Sequence, residues 1–233
     1  MIHFPTTSRR QDHELHPPKP ADHRPCRSGR AAASGSLALA AEPLKISHQF
    51  PSGTDKEGDF RDRLCNRFAK ELDKRSKGAL KANVYPGSSL MKVNAQFSAV
   101  RKGALEMTLM PLVYAGGEVP EVNLVSLPGL VTSYEQGYAW KNAEIGKALT
   151  DLLAEKGVII VTWVWQSGGA ASRNVPIINP EDVKGLKFRG GSREMDLVAK
   201  AAGAATLALP SSETYAAMQT GAVDIVTDRK SVV

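Results

Sequence analysis

The residues best suited to chemistry in this sequence lie together, in Lys184-Gly185-Leu186-Lys187-Phe188-Arg189-Gly190-Gly191-Ser192. Leu186 to Arg189 reads as a strand, two glycines turn the chain, and Ser192 is an N-cap residue for the helix that follows. The first turn of a helix carries backbone N–H groups without intrahelical partners, with the positive end of the helix dipole behind them. Arg189 stands beside that turn, and its planar, always-charged guanidinium can take both oxygens of a carboxylate at once. Arg189 and a bare helix start therefore read as a clamp for a carboxylate or a phosphate. A surface arginine on a glycine turn is the competing reading, and spacing alone does not choose between them.

Other candidates are single residues. Trp163 and Trp165 flank Val164 and so share one face of an extended chain, either in the core, which the periodicity favours, or on the aromatic wall of a cleft. Gln166, Ser167, Gly168 and Gly169 follow and could supply hydrogen bonds or a hinge. Tyr114 comes just after an apolar strand pattern at Leu105–Met110, where α/β sheets present ligand-facing loops. Glu213 opens a helix after Pro210; an acid there serves the helix dipole, with ligand binding as the lesser reading.

Catalytic apparatus is sparse. The sequence has no GxGxxG, GxxxxGK[ST] or GxSxG motif, and Pro51-Ser52-Gly53 is a poor phosphate loop. His48 is the one histidine beyond residue 30 and has no second titratable group near it in sequence, so acid–base chemistry has no cast. His13-Glu14-Leu15-His16 is one residue short of zincin spacing. Cys26 and Cys65 form no CxxC or Cys/His array, so neither a zinc site nor a disulfide framework is expected. The expectation is a protein without cofactor or metal, and not an enzyme.

The 233 residues are 42% hydrophobic and 23% charged, the composition of a globular protein rather than a disordered or fibrous one. The longest apolar run, Gly157 to Trp165, falls short of the roughly 18 residues of a membrane span. The net charge of +6 resides mostly at the ends: residues 1–41 hold six bases against three acids, whereas residues 42–227 hold 22 against 20. A nucleic-acid-type basic surface is excluded on that distribution.

These residues need elements to position them. Residues 1–30 hold four of five histidines and five of 14 prolines with no apolar periodicity. Ala38-Leu39-Ala40 then has the form a signal peptidase reads, so residues 1–41 are read as a disordered leader or signal-peptide remnant before Glu42-Pro43. From Leu44 strands and helices alternate, which predicts α/β layers. Phe60, Leu64, Phe68 and Leu72 mark a helix, and Ser133 with Gln136 opens a long one through Leu152. Val158 to Trp165 reads as a strand buried on both faces. Pro86-Gly87-Ser88-Ser89 followed by a helix and Gly103-Ala104-Leu105-Glu106 parallels Pro210-Ser211-Ser212 followed by a helix and Gly221-Ala222-Val223-Asp224. That similarity suggests two related lobes, 42–165 and 166–227, with a ligand cleft between them.

Together, the KGLKFR strand to Arg189, Gly203-Ala204, Leu209-Pro210-Ser211-Ser212-Glu213, Tyr215 and Met218-Gln219-Thr220-Gly221-Ala222-Val223-Asp224 resemble the DctP-type substrate-binding proteins of tripartite ATP-independent periplasmic (TRAP) transporters. The Leu44–His48 strand, Tyr85-Pro86 and Gly103-Ala104-Leu105-Glu106 fit the same pattern, so the resemblance covers about residues 42–227. It implies a two-lobed, clamshell periplasmic binding fold that closes on a small organic acid and delivers it to a small and a large membrane permease subunit. It also implies Arg189 as the main carboxylate ligand. Sialic-acid-binding members carry a second arginine where this chain has Gly169, and charged cleft residues where it has Pro111 and Tyr114. A mono- or dicarboxylate is therefore implied over a sialic acid, with Arg173 a candidate substitute for the second arginine. Family members continue past the GAVD strand; the resemblance thus implies a missing C-terminal part, with residues 228–233 as a non-native tail. An α/β oxidoreductase and a periplasmic sensor module of the same fold are the alternatives.

Overall fold

The computed structural model describes residues 42–54 and 56–229. Within the first lobe, β1 (Leu44–His48) lies between β2 (Ala82–Tyr85) and β3 (Met107–Leu109), all parallel, in the order β2-β1-β3. In the second, β4 (Gly168–Ser172), β5 (Lys187–Arg189), β6 (Ala205–Thr206) and β7 (Ile225–Arg229) form a sheet of order β4-β7-β5-β6. Its pairings are parallel except β4 with β7. The two-lobed α/β expectation holds. The leader reading of residues 1–41 and residues 230–233 of the tail reading lie outside the described residues. The backbone of β7 pairs through Arg229, two residues past the expected end of the native pattern at Thr227.

Helix α1 (Phe60–Arg75) starts at Asp59, whose carboxylate accepts from the Arg61 N–H at 2.9 Å. It is rotated from the expected stripe: Phe60 and Leu64 are exposed, whereas Arg61, Asp62 and Cys65 are buried. The reason is polar. Asp62 reaches under the sheet to His48, Asp62 Oδ1 to His48 Nε2 at 3.1 Å, and Arg61 lies over the Phe50 ring at 3.3 Å from its centroid. The helix joins the apolar contact with Ile46 and Met107 through buried Cys65, with Phe68 of the expected stripe packed partly buried against it. Helix α2 (Val93–Arg101) puts Val93, Phe97 and Val100 inside.

The long helix expected from Ser133 is two helices, α3 (Tyr134–Ala139) and α4 (Glu144–Glu155). Ser133 does cap, its hydroxyl accepting from Gln136 N–H, but the Gln136 side chain reaches back to Thr132 instead of closing a capping box on Ser133. At about 100° per residue, Trp140 and Leu149 would stand on opposite faces of one continuous helix. Breaking the chain at Ala143, whose ψ is 152°, lets both enter the same core with Leu153 and Val158. Gly146 makes the break tight, because a Cβ there would lie 1.9 Å from the Trp140 carbonyl oxygen.

Val158 to Trp165 also departs from expectation. Apart from a single bridge at Ile159 the segment forms no strand, and among the described residues it joins neither sheet. Val158, Ile160, Trp163 and Trp165 turn inward, while Ile159, Val161 and Val164 are exposed. A strand buried on both faces needs a layer on each, and here only one face is covered.

In the second lobe, helix α5 (Arg193–Ala201) begins at Ser192, whose hydroxyl accepts from Met195 N–H as predicted. Its Ala199 packs with Val183, Phe188, Ala204 and Ile225. Helix α6 (Thr214–Thr220) ends at Gly221 in the left-handed conformation, φ 72°. No helix among the described residues is long and apolar enough to cross a membrane.

Candidate ligand-binding site

A cavity of about 810 Å³ opens between the lobes. The first lobe contributes Leu112, Val113 and Tyr114 of the 3-10 turn after β3, the loop around Leu127 and the segment ending in Trp165. The second contributes Gly168 to Ala170 of β4, Arg189, Gly191, Met195, Ser211 and Thr227. The volume falls within the range of small-molecule sites, and the position, at the carboxyl ends of parallel strands, is where open α/β sheets bind ligands.

Arg189 is 2% exposed, at the end of β5. Its Nε donates to the Leu209 carbonyl at 2.9 Å, Nη1 to the Thr227 carbonyl at 2.9 Å, and Nη2 to the Tyr114 hydroxyl at 3.1 Å. All three acceptors are neutral. A guanidinium has five N–H groups, so one remains on each terminal nitrogen, the number that a bidentate carboxylate takes. Among the described residues no carboxylate forms an ion pair with Arg189. Withdrawing a cation from water without a counter-ion costs several kcal/mol, and an anion arriving in the cavity would offset it.

The helix-start half of the expected clamp is not bare. Gly190 N–H donates to Asp196 Oδ1 at 3.0 Å and Gly191 N–H to Thr227 Oγ1 at 2.9 Å. Asp196 lies so close that a Cβ on Gly190 would stand 2.3 Å from its oxygen, which explains the glycine. Burial holds the Asp196 carboxyl above the usual carboxylate range. The charge opposing a ligand is thus provided by the Arg189 side chain and not by the backbone of α5.

Tyr114 supplies what the helix start does not. Its hydroxyl oxygen accepts from Arg189 Nη2 and also from Ser211 N–H at 3.0 Å, two donors from the opposite lobe. With both contacts made, the phenolic proton is the remaining polar feature of that group. Trp165 is at once core and wall: it lines the cavity, stacks on Trp163 with centroids 6.2 Å apart, and meets Trp140 edge-on at 5.3 Å. Its indole N–H is buried and has no partner among the described residues. Gln166 lines the cavity as well.

Two expected residues are not brought there. Glu213 is exposed at the start of α6, and Arg173 lies beyond the far end of β4 with Nη1 against Gly221. Neither lines the cavity. Arg61 was missed: it lines the first-lobe wall together with Phe50. Only its position two residues after the Asp59 N-cap could have marked it. His48 is wholly buried and does not line the cavity, and Gly53 N–H donates to Asp62 Oδ2, so the Pro51-Ser52-Gly53 loop serves α1 rather than a phosphate. No group of three or more potential metal ligands occurs among the described residues.

Comparison with known proteins agrees with this geometry. Residues 51–226 match the family model of DctP, the bacterial extracellular solute-binding protein family 7. A solute-binding protein of Albidiferax ferrireducens is 62% identical over 84% of this chain and 59% of its own length. The C4-dicarboxylate-binding periplasmic protein DctP of Rhodobacter capsulatus is 32% identical over 83% and 59%. Among solved structures, a TRAP periplasmic solute-binding protein of Rhodoferax ferrireducens with bound malonate is 64% identical, with a TM-score of 0.77, covering 80% of this chain and 59% of that one. Another, from Sulfurospirillum deleyianum with bound succinate, is 28% identical with a TM-score of 0.72 over the same shares. This chain therefore spans 59% of the length of these relatives, and it belongs to bacterial extracellular solute-binding protein family 7, the DctP family.

Proposed function

We propose that the protein is the solute-capturing subunit of a TRAP transporter, not an enzyme. It takes a small mono- or dicarboxylate in the cleft between its lobes, in the periplasm, and passes it to a small and a large membrane permease subunit. The observation that carries this reading is Arg189: a cation 2% exposed, held by three neutral acceptors, on the wall of the interlobe cavity. Its two remaining N–H groups suit one carboxylate. Tyr114 joins the lobes at the same point, and Trp165 and Gln166 complete the wall. Malonate and succinate, bound in the two structures above, are ligands of the proposed class.

Closure follows from the same geometry. Arg189 comes from one lobe and Tyr114 and Trp165 from the other, so a ligand touching both gains its full contacts only when the lobes are together, and binding shifts the open–closed population. Calorimetric titration of the protein at its full encoded length with a panel of organic acids tests the reading. Saturable binding of at least one carboxylate is expected. Binding of neutral sugars or of cationic amines, with no carboxylate bound, refutes it.

A further inference from the structure

The near-neutral balance of residues 42–227 hides a local excess. Residues 63–81 hold seven bases against two acids, Glu71 and Asp73, whereas the rest of 42–227 holds 15 bases against 18 acids. Six of the seven, Arg67, Lys70, Lys74, Arg75, Lys77 and Lys81, are exposed, and Arg63 is half-buried. Arg75 is paired with Glu71 at 3.0 Å, but Arg67, Lys74, Lys77 and Lys81 make no ion pair among the described residues. None of these bases lines the interlobe cavity. Lys81 stands at the amino end of β2, and the cavity lies at the carboxyl ends of the strands, so this charge gathers at the pole of the first lobe that faces away from the cleft.

Apolar side chains accompany it. At about 100° per residue, Phe60 and Leu64 share a side of α1 with Arg67 and Lys74, away from Asp62 and Cys65. Phe60 is 41% exposed and Leu64 37%. The rotation that takes Arg61 and Asp62 inward thus leaves apolar and basic side chains together on the outer face. The turn after α1 continues the pattern: Leu80 is 46% exposed between Lys77 and Lys81. That turn is held from within, since the Ser76 hydroxyl accepts from Leu80 N–H at 2.9 Å and Gly78 N–H donates to the Asp73 carbonyl at 2.9 Å.

We propose that the outer side of α1 and the turn leading to β2 form a docking surface for an anionic phospholipid bilayer. The inference stands apart from Arg189 and the carboxylate site. Charge complementarity selects a negatively charged partner. Phe60, Leu64 and Leu80 select a bilayer over an acidic protein segment, because apolar side chains ringed by Lys and Arg suit the boundary between headgroups and acyl chains. Each Lys or Arg near a negatively charged bilayer raises binding about fivefold, an attraction that salt screens within a Debye length. A protein adsorbed through this face stays at the membrane with its cleft, at the other end of the strands, open to solvent.

Vesicle co-sedimentation of the protein at its full encoded length tests this, with phosphatidylglycerol mixed into phosphatidylcholine against phosphatidylcholine alone. Binding to the anionic vesicles only, falling steeply as salt is raised, is expected. Equal binding to both, or to neither, overturns the proposal. Reversing three charges together, Arg67→Glu, Lys74→Glu and Lys81→Glu, should lower binding about a hundredfold or more. Undiminished binding in that variant places the contact elsewhere and overturns the assignment. The charge-conserving set Arg67→Lys, Lys74→Arg and Lys81→Arg should bind like the wild type, and a loss there as large as on reversal counts against an electrostatic contact. Leu80→Ser separates a bilayer from a soluble polyanion: vesicle binding should fall about tenfold while retention on poly-glutamate stays unchanged. Retention on poly-glutamate by a wild-type protein that ignores anionic vesicles would assign the face to an acidic protein and overturn the inference.

Discussion

Replacing Arg189 by Ala separates what this residue does for the ligand from what it does for the fold. At a ligand concentration a hundred times Kd, binding stabilises the native protein by about 2.7 kcal/mol. Breaking a buried charge pair by removing one partner costs about 3 kcal/mol or more, which raises Kd about 150-fold. The same ligand concentration then stabilises the variant by only about 0.3 kcal/mol. For a chain of this size these figures correspond to Tm shifts of about 5–10 °C and about 1 °C. The ligand-free comparison is equally informative. Alanine loses the donors to Leu209, Thr227 and Tyr114, but it also loses a buried cation with no carboxylate partner. Those effects are of similar size and opposite sign, so the ligand-free Tm should move only a few degrees. Arg189→Lys should fall between, since an ammonium keeps the charge without the fork. Differential scanning fluorimetry with and without the best-binding acid measures all of this. A ligand-induced shift that survives in Arg189→Ala, in a variant that remains folded, refutes the assignment.

Three further outcomes are expected. Tyr114→Phe leaves Arg189 Nη2 and Ser211 N–H without their shared acceptor, and calorimetry should show acid affinity falling about tenfold. Burial lowers the His48 pKa below its ordinary 6.5 against the opposing pull of Asp62, so the native state takes up its proton later than the unfolded state as pH falls. Stability from this group is therefore present above pH 6.5 and lost below it; urea melts across that window should show a slope that flattens in His48→Gln, and an unchanged slope would count against the buried pair. The Cys65 thiol, buried and pushed up to about 12, should resist iodoacetamide in the native protein and react once urea unfolds it, as peptide mapping would show.

The sequence revealed the position of Arg189 because its signals are local: a short strand, two glycines and a serine cap are contiguous. It misjudged the partners because those are distant. The N–H groups of Gly190 and Gly191 are taken by Asp196, a turn into α5, and by Thr227, 36 residues further on. The amphipathic pattern of α1 indicated a helix, but its rotation was set by Asp62 seeking His48 and Arg61 seeking Phe50. The nine-residue apolar run ending in Trp165 announced burial without saying on how many faces. Trp140, silent in the pattern, decided where α3 had to stop.

Two arginines are buried among the described residues, and their surroundings differ in the way that matters. Arg61 has Asp59 beside it, so its burial is compensated within the lobe that holds it. Arg189 has carbonyls and a phenol, which orient a guanidinium without neutralising it. Hydrogen bonds to neutral oxygens recover only part of the solvation a cation loses, so Arg189 carries a positive charge that no ion pair among the described residues neutralises. A compensating acid could have been supplied in place; Asp196 is near enough to engage Gly190, yet its carboxylate is turned to that backbone N–H and not into an ion pair with Arg189. Asp196 acts on Arg189 through its field alone, its oxygen being held by a backbone N–H, so the guanidinium's remaining N–H groups are left for something that enters between the lobes.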